Sequence, residues 1–198
     1  MSSDGVNTGR RRFLTAATSA VGVAGAVGIA VPFVGSWNPS AKAKAAGAPV
    51  KADISKVEPG QMVVVEWRGK PVYVLRRTPE QVEELASLNS FLKDPDSIIS
   101  EQPDYITSID RSIRPEILVT VGLCTHLGCA PKFRPEVGVV DFGGDKWKGG
   151  FFCPCHGSTF DLAGRVYNGV PAPTNLVVPP YSFEDDNVLV IGVDQETA

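Results

Sequence analysis

Apolar and polar positions follow three different rhythms along this chain. From Phe13 through Val34 there are 22 residues without a charge, and the next charge is Lys42. A helix over that run, at about 1.5 Å per residue, reaches roughly 33 Å and suffices for one bilayer crossing. It is rich in Ala, Gly and Val, and Gly22, Gly25 and Gly28 would let partner helices come close. Between Ser36 and Pro49 the composition shifts to Ala, Lys, Gly, Pro and Ser, a tether of 14 residues that stretches to at most about 50 Å. Short strand-like runs follow: Met62–Trp67, Val72–Arg76, Ile117–Val121, Val137–Phe142, Gly150–Phe152, Tyr181–Glu184 and Val188–Val193. Gly and Pro punctuate them, and Gly143-Gly144-Asp145 reads as a turn between two strands. One helix is predicted at Pro79–Leu88, where Thr78 and Gln81 form a capping box and Val82, Leu85 and Leu88 an apolar stripe for core packing. The pattern predicts a mainly β protein: one N-terminal transmembrane helix, then a small antiparallel β-sandwich domain of roughly 150 residues with one short helical insert.

Charge changes this picture in two places. Ahead of the apolar run, Gly9-Arg10-Arg11-Arg12-Phe13-Leu14 resembles a twin-arginine export signal, whose route carries folded proteins. Ala41-Lys42-Ala43 and Ala43-Lys44-Ala45 look like processing sites, but the apolar run exceeds the roughly 7–15 residues of a cleaved signal, so a retained anchor is expected. Charge alone does not orient the anchor, since Arg10–Arg12 on one flank face Lys42, Lys44 and Lys51 on the other. A net charge of −3, with no basic patch, argues against nucleic-acid binding, and no glycine-rich phosphate loop or internal repeat is present.

The chemistry is concentrated. All four cysteines and both histidines fall in two boxes, Cys124-Thr125-His126-Leu127-Gly128-Cys129 and Cys153-Pro154-Cys155-His156-Gly157-Ser158. Such soft and borderline donors suit iron and zinc. Structural zinc sites group like ligands, whereas each box here pairs one Cys with one His. Mixed pairs suit a 2Fe–2S cluster with two cysteines on one iron and two histidines on the other. A zinc-stabilised binding domain, a Cys124–His126 nucleophile and a metal-free disulfide scaffold are the alternatives; zinc leaves two cysteines unexplained, and no orienting third group supports a nucleophile.

The charge arithmetic favours such a cluster for electron acceptance. Two ferric ions, two sulfides and four thiolates sum to −2, and reduction makes −3. Two neutral imidazoles in place of two thiolates bring these to 0 and −1. The potential then rises from roughly −400 mV into a range of about −150 to +300 mV. A proton on the free imidazole nitrogens becomes more favourable after reduction, coupling electron and proton uptake.

Both boxes resemble the Rieske iron–sulfur proteins of respiratory quinol-oxidising complexes. The resemblance implies that Cys124 and Cys153 bind one iron and His126 and His156 the other, with Cys129 and Cys155 joined as a disulfide. It further implies that His156 hydrogen-bonds quinol and that Ser158 donates its hydroxyl to a cluster sulfide. Many relatives carry a tyrosine where this chain has Phe160, so one donor is missing and a lower potential is expected. Leu127 is expected as an exposed apolar tip beside the cluster. Trp67-Arg68-Gly69-Lys70-Pro71-Val72, the insert from Arg76 to about Ile113, and Gly169-Val170-Pro171-Ala172-Pro173-Thr174-Asn175-Leu176 resemble the ubiquinol–cytochrome c reductase branch. The last of these is similar to a proline-rich loop that covers the cluster.

The resemblance implies an organisation into a cytoplasmic twin-arginine segment (1–12), a transmembrane anchor (13–35), a hinge (36–50) and a Rieske-type domain (51–198). Within that domain, a small cluster-binding subdomain spans about 122–175. Expected partners are a cytochrome b subunit, a membrane-bound c-type cytochrome subunit, ubiquinol and the lipid bilayer, in a complex that is dimeric. A disulfide persists only in an oxidising compartment, so the domain is expected on the periplasmic side of a bacterial inner membrane, N-terminus inside. The small subunit of a periplasmic oxidase such as arsenite oxidase is the other redox reading.

Overall fold

The structure, a computed structural model, describes Gly5 and residues 7–195. The outermost parts of the expected segments 1–12 and 51–198 therefore lie outside the described residues. The chain divides into two compact units, Met1–Ala45 and Ala46–Ala198.

In the first unit the apolar run forms α1 (Thr8–Gly35), a 28-residue helix about 42 Å long. It is long and apolar enough to cross a membrane. Asn7 caps it, its side-chain oxygen accepting from the Arg10 N–H at 3.1 Å. The first turn holds no acidic residue, and Arg10–Arg12 follow directly, an arrangement the helix dipole disfavours. Those arginines are therefore not present for helix stability. The tether is not wholly extended: Ala41–Ala46 coils into α2, with the Ser40 hydroxyl accepting from the Ala43 N–H at 3.1 Å. Alanine has the highest helix propensity, which accounts for the turn.

The second unit contains β1 (Val50–Asp53), β2 (Met62–Trp67), β3 (Lys70–Arg76), α3 (Pro79–Glu84), β4 (Ile117–Val121), β5 (Lys132–Arg134), β6 (Gly150–Phe152), β7 (Thr159–Phe160), β8 (Tyr181–Phe183) and β9 (Val188–Ile191). They form three antiparallel sheets of three strands, ordered β1-β9-β8, β2-β3-β4 and β5-β6-β7. In the middle sheet β3 and β4 are buried on both faces, whereas β2 leaves Val64 and Glu66 exposed. Because side chains alternate across a strand, Val72, Val74, Ile117 and Val119 point one way and pack with Tyr181, Leu189 and Ile191 of the first sheet. Tyr73, Leu75 and Leu118 point the other way and pack with Phe151 and Phe160 of the third. Each such aliphatic side chain, fully buried, stabilises by about 1.5–3 kcal/mol. This explains why β3 and β4 read as continuous apolar runs.

Three expectations are corrected. Val137–Phe142 is not a strand: it is a loop ending in a 3-10 turn at Val140–Phe142, with Val137 and Val140 exposed. Left-handed Gly138 and Gly143 bracket it, and the strand that pairs with β6 is the earlier Lys132–Arg134. Gly143–Asp145 lies between two paired strands as expected, but within the long β5–β6 connection rather than directly joining them. The Pro79–Leu88 helix has the expected capping box, but α-geometry stops at Glu84 and continues as a 3-10 helix through Phe91. There the Leu85 carbonyl accepts from the buried Arg165 guanidinium at 2.6 Å. Leu85 and Leu88 are buried as expected, in two different clusters.

Candidate metal centre

Two loops carry the boxes, and they are built alike. In the first, the Cys124 N–H donates to the Cys129 carbonyl at 2.7 Å, and Gly128 N–H to the Cys124 carbonyl at 2.9 Å. In the second, Cys153 N–H donates to the Ser158 carbonyl at 2.8 Å and Gly157 N–H to the Cys153 carbonyl at 3.0 Å. The closing turn needs a left-handed residue, supplied by Gly128 (φ +81°) and Gly157 (φ +76°). The second loop connects β6 to β7; the first follows β4 and returns through β5.

Cys129 and Cys155 form a disulfide that ties the loops together. Cys124 and Cys153 remain free thiols, both buried. Burial raises the Cys124 thiol pKa; the His126 backbone N–H pulls it down, the neighbouring Cys153 thiol pushes it up, and the Ser158 hydroxyl lowers it. The His126 and His156 rings stand 4.8 Å apart and nearly perpendicular. His126 is half-buried and its Nδ1 has no hydrogen-bond partner; His156 is exposed. A buried, unpartnered imidazole nitrogen is costly unless it binds something. The sulfurs of Cys129, Cys153 and Cys155 also lie within 4.8 Å of one another, but two are spent on the disulfide and offer no thiolate. The donor set that fits a metal is two thiols and two imidazoles: Cys124, Cys153, His126 and His156.

The surroundings are apolar and closely supported. Leu127 projects at the tip, 71% exposed, and Phe160 is fully buried in the same cluster as Cys124 and Cys153. The proline-rich loop reaches both boxes: the Thr174 carbonyl accepts from Thr125 Oγ1 at 2.7 Å, and the Ala172 N–H donates to Ser158 Oγ at 3.0 Å.

Sequence reasoning missed the polar frame beneath. Arg77, Arg111 and Arg165 are all fully buried. Arg77 donates to the Leu162 carbonyl at 3.1 Å, Arg111 to Ala163 at 3.2 Å, and Arg165 pairs with buried Asp161, whose Oδ2 accepts from Nε at 2.8 Å. These residues fix the segment that follows the second box. Burial lowers Arg77 and Arg111 to about 10, so both stay charged at neutral pH. Nothing in spacing or periodicity marks them, except that Asp161 and Arg165 stand four apart.

Residues 48–182 match the family described as Rieske [2Fe-2S] domain, and residues 1–40 the family described as Ubiquitinol-cytochrome C reductase Fe-S subunit TAT signal. A ubiquinol-cytochrome c reductase iron-sulfur subunit of Allochromatium vinosum is 58% identical over 198 residues, all of this chain and 95% of that protein. The subunit of the same description from Blastochloris viridis is 45% identical over 191 residues, 96% of this chain and 97% of that one. Among solved structures, a chain of a hyperthermophilic respiratory Complex III covers 88% of this chain and 98% of its own length at 28% identity, with a TM-score of 0.47.

Proposed function

Since the chain belongs to the Rieske iron–sulfur subunits of ubiquinol–cytochrome c reductase, we propose that it takes one electron and one proton from ubiquinol and passes the electron to a c-type haem. Cys124 and Cys153 hold one iron, His126 and His156 the other. A 2Fe–2S cluster bound there supplies a one-electron acceptor whose potential the neutral imidazoles raise. The observations that support this reading are two buried free thiols and two imidazoles 4.8 Å apart, carried on a pair of loops pinned together by a disulfide.

The chain's own residues do the rest. His126 would hold the iron through its buried, unpartnered Nδ1, and His156 would keep one ring nitrogen free for the quinol hydroxyl. Being exposed, His156 is the imidazole that quinol reaches. Leu127 enters an apolar pocket of the cytochrome b subunit, excluding water around the hydrogen bond. Ser158 donates its hydroxyl to the centre and favours the reduced state. Phe160 offers no such donor. Phe160→Tyr is expected to raise the midpoint potential, by roughly 60 mV if the new bond contributes about 1.4 kcal/mol; a redox titration with no rise, or a fall, contradicts this role.

Residues 13–35 anchor the subunit in a bacterial inner membrane, N-terminus in the cytoplasm, with the domain from 51 onward in the periplasm. The chain sits beside a cytochrome b and a membrane-bound c-type cytochrome subunit in a dimeric complex. Residues 36–50 serve as a hinge, α2 included. Replacing Ala43–Ala48 with a proline-stiffened segment should slow quinol–cytochrome c turnover severalfold while leaving the midpoint potential where it was; unchanged turnover removes the hinge. Full-length likeness to reductase subunits favours this reading over an oxidase small subunit or a zinc-stabilised domain.

The deciding experiment is an EPR spectrum of the reduced protein in native membranes, with and without a quinol-site inhibitor. A rhombic signal at low average g that shifts with inhibitor is expected. A signal indifferent to inhibitor, or purified material lacking acid-labile sulfide, ends the proposal.

A further inference from the structure

The run Pro171-Ala172-Pro173 has a single backbone donor, because neither proline carries an N–H. That donor is spent on Ser158 Oγ at 3.0 Å, and both residues are fully buried. A hydroxyl has one proton and two acceptor positions. With Oγ accepting from Ala172, the proton of Ser158 is left to donate toward the centre, where the hydroxyl lowers the pKa of the Cys124 thiol. A hydroxyl that accepts one bond is polarised into a stronger donor of the next, by about 10–30% in a low-dielectric site.

The N–H is held in place from the insert. Lys93 Nζ donates to the carbonyls on either side of it, Val170 at 3.3 Å and Ala172 at 2.8 Å. Asn175, fully buried, engages its side-chain oxygen, both side-chain N–H groups and its backbone N–H. Its Oδ1 accepts from the Val166 N–H at 2.8 Å, and Nδ2 donates to the Asp94 carbonyl at 2.8 Å and Ser97 Oγ at 2.9 Å. Its backbone N–H donates to Ser100 Oγ at 3.0 Å. The Asp94 carboxylate gathers that turn by accepting from the Ile98 and Ile99 N–H groups and from Ser100 Oγ at 2.6 Å. Ser97 lies at φ +53°, a conformation a non-glycine residue keeps only when its surroundings impose it.

We propose that Asn175, clamped by the Lys93–Ser100 turn, is a positioning residue for the redox centre: it keeps the Ala172 N–H on Ser158 and so strengthens the hydrogen bond by which Ser158 favours the reduced state. The inference rests on the reading of Ser158 as a donor to the centre. It gives the helical insert a task at the metal, since its Lys93–Ser100 turn grips the proline-rich loop at Val170, Ala172 and Asn175. None of these groups is a thiol or imidazole of the centre; the one other route, from the Thr174 carbonyl to Thr125 Oγ1, bypasses Ser158 and would shift the potential in both serine backgrounds.

The test is a double-mutant cycle read as midpoint potential, by redox titration of the cluster signal in membranes holding the assembled complex. Asn175→Ala should weaken the preference for the electron two- to fivefold, a downward shift of roughly 20 to 40 mV at 59 mV per tenfold. In a Ser158→Ala background the same substitution should add nothing. An equal shift in both backgrounds, or none in the presence of Ser158, overturns the relay. Should Asn175→Ala lose its cluster, Ser100→Ala removes the strut to its backbone N–H more gently, and the same two outcomes decide. If Ser158→Ala itself leaves the potential unmoved, the serine reading fails and this inference with it. A Ser158 effect without an Asn175 or Ser100 effect sinks the relay only.

Discussion

Replacing His156 by aspartate is expected to abolish quinol oxidation in membranes. Two losses combine. The carboxylate puts a negative charge where a neutral imidazole stood, so the charge arithmetic moves from 0 and −1 to −1 and −2, and electron acceptance becomes harder. The variant also lacks the exposed ring nitrogen that would receive the quinol proton, and a positioned proton acceptor alone contributes about 10²- to 10⁴-fold. His126 cannot substitute, because it is the more buried of the pair. Steady-state quinol–cytochrome c activity, with EPR to follow the cluster, reads the result. Near-normal turnover without a histidine at 156 removes that residue from the site.

Opening the Cys129–Cys155 bridge, by a double substitution to serine, should cost about 3.5 kcal/mol. That figure is the loop-closure entropy of a cross-link between residues 26 apart in sequence. For a unit of this size it corresponds to a thermal midpoint roughly 7–14 °C lower. The loss falls on the centre, since the β5–β6 ladder joins the boxes only at their base and each tip keeps just its own closing hydrogen bonds. The proline-rich loop touches each through one hydrogen bond. Thermal bleaching of the cluster's visible circular dichroism would report it, as would wild-type protein treated with a strong dithiol. A bridge-free protein that bleaches at the wild-type temperature would show that the loops hold together without it.

How far the sequence reveals this arrangement depends on the range of the signal. The boxes are local, so their donors, their glycines and the exposed Leu127 were readable directly. The capping box at Thr78 and the apolar strands β2, β4 and β6 were equally plain, because a run of Val, Ile and Phe declares itself within a few residues. The failures have a common cause. Lys132–Arg134 is three residues long with two charges, and it is a strand only because β6 lies beside it. Val137–Phe142 has the apolar content of a strand but no partner, and left-handed glycines close it off. Arg77, Arg111 and Arg165 look like surface residues in composition, yet each is buried against carbonyls that the fold brings from 33 or more residues away or, for Arg165, also against Asp161 nearby. Asn175 was visible in the proline-rich run, but its partners Asp94, Ser97 and Ser100 are at least 75 residues distant. Such contacts exist only after folding.

The double burial of β3 and β4 bears on what could be cut out of this molecule. Tyr73, Leu75 and Leu118 form the floor under the iron-binding tip, while their strand neighbours belong to the core on the far side. A fragment trimmed to the two boxes and the chain between them would leave its underside bare and wet. Transplanting the tip onto another scaffold therefore requires carrying the shared floor along, and with it the sheet beyond.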